Sequence, residues 1–398
     1  MRPTGALHIG HYHGALKNWV RLQEQHDCFF FVADWHALTT HYETRDVIGP
    51  ATWDMLIDWL AAGLDPIKAT VFIQSRVPEH AELFLLLAMS APLGWLERVP
   101  TYKDQIEKLR ERDLATYGFL GYPLIQAADI LIYRATWVPV GEDQVPHIEV
   151  TREFARRFNH LFGREPDFEA KAQEAAGKLG AKGAKVLAEL RTRFQQDGDR
   201  DALVNGRALI AASQSLSNAD RERVLGWLEG TFRAILVEPA AALTESPKVP
   251  GVDGQKMSKS YGNDVTMREE PKVLTEKIRR MKTDPARVRR SDPGEPERCP
   301  VWELHKIYSN DETKQWVQTG CRTAGIGCLD CKQPVIDAML KEQEPWRERA
   351  QAYFDRPALL REIIDDGNAR ARKVAQETMR EVRDAMGLGY TYAVTGDR

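Results

Sequence analysis

The chain lacks any apolar run near the roughly 20 residues needed to cross a bilayer, and its first residues lack the basic-then-apolar pattern of a secretory leader. Membrane-spanning and exported classes are set aside, and the expected location is the cytoplasm. A large charge excess is also missing. The 398 residues sum to a formal −3, which argues against bulk attraction to nucleic acid. No repeat of fixed period is present, which sets aside a repeat architecture. Cysteine is scarce, at five residues. What remains is an ordinary globular composition, 43% hydrophobic and 28% charged, with length for two or three domains.

The scarce features are unevenly placed. Between Lys272 and Arg290 stand eight basic and two acidic residues, a local +6. Such a stretch suits phosphates, although a solvated helix face has the same look. Cys28 sits alone in an apolar run and is expected as a buried core thiol. Cys299, Cys321, Cys328 and Cys331 share one short segment, with 21, six and two residues between them. In a cytoplasmic chain that clustering points to a metal site before disulfides. A C-x₂-C pair with two further thiolates suits tetrahedral zinc or a [4Fe–4S] cluster.

From the start to about residue 166, strand and helix patterns alternate. "CFFFVAD" at 28–34 reads as a buried parallel strand, a helix follows from Arg45 to Leu60 closed by Gly63, and "TVFIQS" at 70–75 is the next strand. "GYPLIQAADILIY" at 121–133 has helical spacing, which sets Gln126 and Asp129 on one face. "WVPVGEDQ" reads as a strand and turn before a helix over 145–162. The alternation predicts an α/β fold, a Rossmann-like doubly wound parallel sheet whose ligands bind at the carboxyl ends of the strands. Residues 167–236, rich in Ala, Lys, Glu, Arg and Gln, read as a helical insertion. The α/β domain resumes over 237–270 with "SPKVPGVDGQKMSKSYGN", a Gly- and Lys-rich surface loop. Residues 271–398 form a helical C-terminal domain that carries the cysteine cluster.

Two segments carry phosphate chemistry. In "RPTGALHIGH", Gly10 at a helix start lets backbone approach an anion, while His8 and His11 supply hydrogen-bond donors. In "KMSKS", Lys256 and Lys259 are mobile point charges suited to a leaving pyrophosphate. Each segment is weak evidence by itself. Together in one α/β domain they form a specific pair.

"HIGH" and "KMSKS" are the two signatures of class I aminoacyl-tRNA synthetases. With "FVADWHALTTHY", "VPEHAEL", "ERVPTYK", "YPLIQAADILIY", "VPVGEDQ", "REFARRFN" and "TDPARVRRSDPG", the chain resembles the bacterial tryptophanyl-tRNA synthetases over nearly all of its length except about 167–240. The resemblance implies a Rossmann-like catalytic domain, a helical anticodon-binding domain and a homodimer. It implies activation of L-tryptophan by ATP, as its Mg²⁺ complex, and transfer from the adenylate to the 3′ end of tRNA. It assigns catalysis to His8, His11, Lys256 and Lys259. ATP contacts fall to Arg2, Pro3, Thr4, Gly10 and His11, to Gly141, Glu142 and Asp143, and to Lys256, Met257, Ser258, Lys259 and Ser260. The amino-acid pocket falls to His36, Tyr122, Gln126, Asp129, Val138, Val140 and Gln144. The chemistry agrees for Asp129: an indole N–H only donates, so its pocket needs an acceptor.

Three features depart from that pattern. The family's first strand precedes "RPTG", whereas this chain starts at Met1, so a start assigned too late is expected. Gln126 stands where many relatives carry Met, a feature shared with tyrosyl-tRNA synthetases, so tyrosine is the second candidate substrate. The insertion has no assigned role. The four clustered cysteines resemble a subset of the family with a C-terminal [4Fe–4S] cluster, and zinc is the alternative. A catalytically silent tRNA-binding paralogue is the reading from another class, and the intact histidine and lysine signatures oppose it.

Overall fold

The protein is described here by a computed structural model covering residues 1–99, 116–163, 167–230, 234–243 and 249–390. Most of "ERVPTYK" and the start of the lysine loop, 246–248, lie outside the described residues.

The first helix, α1 (Ile9–His11), widens into a π-helical turn over Tyr12–Leu16 and continues as α2 (Lys17–Leu22). The apolar run forms β1 (Cys28–Val32), and the acid that ends it opens α3 (Asp34–His41). A short 3₁₀ turn precedes α4 (Ile48–Ala62), which stops at Gly63 with φ +115°. β2 (Ala69–Ile73) is buried along its length. Next come α5 (Glu79–Ala88), α6 (Leu93–Glu97), α7 (Tyr117–Leu120) and α8 (Tyr122–Leu131). β3 (Trp137–Val140) and a 3₁₀ turn lead into α9 (Val145–Phe162), as the sequence pattern predicts. The segment expected as an insertion folds as α10 (Phe168–Gly177), α11 (Gly180–Asp197), α12 (Arg200–Ala212) and α13 (Asn218–Glu229). Asp199 and Ser217 cap the last two with their side chains. After β4 (Ala240–Leu243) the chain is helical: α14 (Pro271–Arg280), α15 (Pro300–Tyr308), α16 (Asp311–Arg322), α17 (Cys328–Asp355) and α18 (Pro357–Ala385).

β1 and β2 pair in parallel, from Cys28 opposite Ala69 to Val32 opposite Ile73, with α3 and α4 as the crossover. This is the βαβ core of a Rossmann-like fold. Among the described residues the regular ladder is confined to this pair and to β3 with β4. Cys28, expected in the core, is instead half-buried, because it is the first residue of β1.

Two compact units make up the chain. The first joins Met1–Val77 to Leu243–Ala371. Its main core packs Phe30, Val32, Val71 and Ile73 of the strands against Met55, Leu56 and Trp59 of α4, with Trp346 and Ile364 from the late helices. A second core gathers Ile9, Met257 and Val265 around Leu274, Ile278, Leu304, Ile336 and Met339. Helices of the expected C-terminal segment therefore share a unit with the first strands, since α17 lies along α4.

The second unit joins Pro78–Ala242 to Arg372–Arg398. There α8 packs on α5 and α9. The insertion helices have a core of their own, including Ala172, Leu187, Leu190, Ile210, Val224 and Leu228, and Arg191 stacks 4.3 Å from the Trp227 ring centre. Just past α8 the chain turns at Arg134, with φ +50°. Arg134 pairs with Glu222 of the insertion at 3.3 Å and with Glu381 at 3.0 Å.

Both edges of the parallel pair are engaged. The Met1 amine donates to Phe31 O at 2.9 Å, and Ala33 N–H donates to Met1 O at 2.7 Å. Along β2, Asn368 Oδ1 accepts the Ile73 N–H at 3.0 Å. Gly367 is what admits α18 so close: a Cβ there would lie 1.9 Å from the Val71 carbonyl oxygen. Gly367→Ala is therefore expected to lower stability by about 3 kcal/mol, the upper end for a forced overlap. Urea unfolding measures this, and a change below about 0.5 kcal/mol would contradict the close approach.

Candidate active site

The first unit holds both signature segments, laced together by backbone. Ile9 N–H donates to Val265 O at 3.0 Å and Met267 N–H donates to Leu7 O at 2.9 Å, an antiparallel bridge centred on His8 and Thr266. The chain leaving the lysine loop is thus fixed to the histidine stretch. It is also tied to α4: Arg268 Nε donates to Asp58 Oδ1 at 2.6 Å, and the same guanidinium bonds Asp54. Asp58 is buried, and burial pushes its carboxyl up to about 6 despite the opposing pull of Arg268.

The loop itself hangs on Asn263. This buried amide accepts the Ser258 N–H at 2.7 Å and donates to Lys256 O at 3.2 Å and Asp253 Oδ1 at 2.8 Å. Met257 is buried as the loop's apolar anchor, whereas Lys256 is exposed. Lys259 turns inward. Its ammonium lies where a Cβ on Gly5 would be 3.4 Å away, and it acts on both His8 and His11 electrostatically.

The two histidine rings lie 3.7 Å apart, and His8 N–H donates to His11 Nδ1 at 3.2 Å. Gly10 has a reason here beyond ligand approach: a Cβ would sit 2.9 Å from His8 Nδ1. That nitrogen is buried with no hydrogen-bond partner among the described residues. Buried polar atoms are rarely left so, and it marks a place for a ligand atom. Burial, and then the Lys259 charge, brings His8 down to about 4. Burial, then His8 and Lys259, brings His11 down to about 3. Both rings are therefore neutral at pH 7 and can act as hydrogen-bonding groups, with the Lys259 charge beside them.

Behind the signature, the π-helical turn buries His13. Its Nε2 meets Tyr308 Oη at 2.8 Å and Glu342 Oε2 at 3.2 Å, and Tyr308 donates to the same carboxylate at 2.9 Å. α15 and α17 thereby grip the turn. Of the other expected residues in this unit, Pro3 is buried, Thr4 and His36 are half-buried and Arg2 is exposed.

The second unit holds Tyr122, Gln126 and Asp129 on α8, Val138 and Val140 on β3, and Gly141, Glu142, Asp143 and Gln144 at the turn that follows. Asp129 is buried, and His80 Nδ1 lies 2.6 Å from its Oδ1. His80 Nε2 lies 2.6 Å from Tyr133 Oη. Tyr122 Oη is 3.5 Å from His147 Nε2. Glu142 and Asp143 are exposed, and Gln144 donates to Asp143 at 3.0 Å.

Spacing gave no sign of Asn263, Arg268, His13, His80 or His147. The partners of Arg268, His13 and His80 lie far along the chain, whereas Asn263 binds its own loop, with nothing in its local pattern to mark it.

The clustered cysteines lie near enough to act on one another electrostatically. Burial, and then the charges of Cys299, Cys321 and Cys328, pushes the Cys331 thiol up to about 12. Arg287 Nη1 donates to Cys321 Sγ at 3.8 Å, and His305 Nε2 is 3.4 Å from Cys331 Sγ. Among the described residues no group of three or more His, Cys, Asp or Glu is arranged to hold a metal ion.

The chain is similar to known proteins over most of its length. The family model described as tRNA synthetases class I (W and Y) matches residues 1–172 and 211–342, leaving 173–210 of the insertion between the matches. A tryptophan–tRNA ligase of Ralstonia nicotianae is 70% identical over 391 residues, covering 98% of both chains. One from Thermotoga maritima is 44% identical over 390 residues, again covering 98% of each. The crystal structure of a tryptophanyl-tRNA synthetase from Campylobacter jejuni, complexed with ADP and tryptophan, superposes with a TM-score of 0.72 at 28% identity over 98% of both chains.

The histidine geometry has a pH signature. Because both folded-state values lie below the ordinary 6.5, the unfolded chain binds more protons between about 3 and 6.5. Stability from these groups is complete above 6.5 and is lost as pH falls through that window. Nitrogen-15 spectra of the ligand-free protein at pH 5.5 should show neutral His8 and His11 rings. Protonated rings at that pH would refute the assignment.

Proposed function

The chain belongs to the class I tRNA synthetases of the W and Y family, and from its site we infer the reaction it performs: it uses ATP to join L-tryptophan to the tRNA for tryptophan. The tryptophan carboxylate attacks the α-phosphorus of ATP. The bond to the β-phosphate breaks, pyrophosphate leaves and the aminoacyl-adenylate forms. A hydroxyl of the tRNA's 3′-terminal ribose then attacks the activated carbonyl and releases AMP. The substrate supplies the nucleophile, so the protein's task is positioning and charge.

The observation that carries this reading is the backbone lacing of Leu7–Ile9 to Val265–Met267, which holds Lys259 beside two neutral histidines. His8 and His11 would donate hydrogen bonds to the phosphates. Lys256 and Lys259 would neutralise the leaving pyrophosphate, with Arg2, Pro3, Thr4, Gly10, Met257, Ser258, Ser260 and the 141–143 turn completing the ATP contacts. Asp129 would accept the indole N–H, and His36, Tyr122, Gln126, Val138, Val140 and Gln144 would be the other tryptophan-binding residues. Residues 271–398, with their basic stretch, would face the anticodon arm, and the working form would be a homodimer.

ATP–pyrophosphate exchange with tryptophan and tyrosine side by side tests the pocket. Exchange should depend on tryptophan. Asp129→Ala should cost about 1.5–3 kcal/mol in kcat/KM for tryptophan, the worth of a hydrogen bond to a charged group, with little change in KM for ATP. Equal activity of the variant, or exchange driven by tyrosine, would sink the assignment.

We also propose that Cys299, Cys321, Cys328 and Cys331 hold one [4Fe–4S] cluster. The support is their mutual electrostatic influence in a half-buried spot, with Arg287 donating to the Cys321 sulfur. Such a group would supply structural cross-linking, since the ligase chemistry needs no electron transfer. Protein purified without oxygen should be brown, with equal iron and sulfide. Cys328→Ser should bleach it and lower tRNA charging while exchange persists. Colourless anaerobic protein with one zinc per chain would overturn the cluster.

A further inference from the structure

Asp129 does not stand alone in its helix. Its carboxylate is the end of a chain of three side chains, Tyr133, His80 and Asp129, linked by two contacts of 2.6 Å. His80 is wholly buried and Asp129 nearly so. A carboxylate can only accept, so His80 Nδ1 carries the proton that it presents to Asp129 Oδ1. Tyr133 keeps its own proton, because burial and then the Asp129 charge push its hydroxyl far above the ordinary 10. Its O–H therefore donates to His80 Nε2. Each partner fixes the tautomer of the next, as a buried imidazole between an acceptor and a donor must.

His80 comes from a different element than the residue it holds. It lies in the first turn of α5, whereas Asp129 and Tyr133 lie one turn apart at the end of α8 and just past it. α5 is in turn pinned from the last part of the chain. Arg372 Nε and Gln376 Nε2 donate to Glu79 Oε1 at 2.9 and 3.1 Å, and Arg383 Nε donates to Glu82 Oε1 at 2.6 Å. The ring thus has a rigid base, and a short charge-assisted bond from a rigid base holds a carboxylate to one rotamer.

We propose that His80 is the positioning residue for amino-acid selection: by its Nδ1–H it orients the Asp129 carboxylate toward the indole N–H, with Tyr133 setting its tautomer. The proposal rests on Asp129 as the indole acceptor. A carboxylate has room for several donors, so accepting from His80 is compatible with accepting from the substrate. Without the ring, Asp129 would lose the short bond that sets its Oδ1, and the substrate N–H would lose a preorganised partner. An indole-sized group lacking the N–H would lose nothing by that change. The role is therefore one of discrimination, distinct from general packing.

The test compares tryptophan with its benzothiophene analogue, which has sulfur in place of the indole N–H, in ATP–pyrophosphate exchange. His80→Ala should lower kcat/KM for tryptophan about tenfold or more, the scale of one hydrogen bond to a charged group. The analogue should lose far less, and KM for ATP should stay put. His80→Asn, whose amide can donate from near the Nδ1 position, should keep most of the preference, and Tyr133→Phe should lose part of it. Equal losses for both substrates in His80→Ala, with the fold intact by thermal melting, would reduce His80 to a structural residue and overturn the proposal. If that variant does not fold, His80→Asn and Tyr133→Phe decide: an unchanged preference in Tyr133→Phe together with its loss in His80→Asn counts against the relay. Asp129→Ala separates the two layers. Should it leave the preference intact, the indole-acceptor reading fails and this inference with it. Should it abolish the preference while His80→Ala does not, only the inference about His80 fails.

Discussion

The working parts of the first unit depend on two backbone hydrogen bonds, Ile9 N–H to Val265 O and Met267 N–H to Leu7 O. They join segments separated by some 250 residues. A loop carrying two lysines is of use only if its feet are fixed; otherwise the charge wanders and the gain on closing is spent on ordering it. Here one foot is the bridge at Thr266, reinforced by Arg268 on Asp58 and Asp54, and Asn263 ties the loop to itself. Between those fixed points Lys256 remains exposed and Lys259 turns toward the histidines. This combination, one fixed foot and an exposed lysine, suits a loop that meets a leaving group without being locked onto the ground state.

Electrostatic roles in that site divide cleanly. Neutral histidines next to a lysine avoid the repulsion that three adjacent cations would create before any phosphate arrives. Burial does most of this, and the lysine adds to it. The same burial leaves His8 Nδ1 without a partner, a cost that a phosphate oxygen or its water would offset. The π-helical turn behind the signature has a related logic. Its wider winding faces His13 onto Tyr308 and Glu342, so helices from the late part of the chain help to set the pitch of the histidine segment.

How much of this was readable in the sequence depends on distance along the chain. β1, β2, α4 with its Gly63 stop, β3 and α9 follow from local apolar patterns and end signals, and they stand within a few residues of expectation. The insertion's helices were readable for the same reason. The signature strings point to phosphate chemistry because Gly, His and Lys in those settings have few other uses together. Pairings were not readable. Nothing near His80 announces Asp129, and nothing near His13 announces Tyr308 or Glu342. Cys28 was expected in the core because an apolar run surrounds it, yet a strand's first residue sits at the rim of its sheet. The compact units were also hidden, because α17 packing on α4 is a long-range contact without a local mark.

In the second unit, helices α10–α13 bury their own apolar side chains, so they form a core of their own. They also contribute Glu222, which with Glu381 holds Arg134 in a left-handed conformation one residue past Tyr133. A non-glycine residue at positive φ is strained by about 1 kcal/mol or more and persists only where its surroundings insist. Two carboxylates on one half-buried guanidinium are such surroundings. The end of α8, and with it the position of the Tyr133 hydroxyl, is therefore set in part from α13 and in part from α18. Asp129 is thus steadied along two routes: through α5 and His80, and through the turn at Arg134. Both routes are anchored by ion pairs away from Asp129: Arg372 and Arg383 on α5, and Glu222 and Glu381 on Arg134.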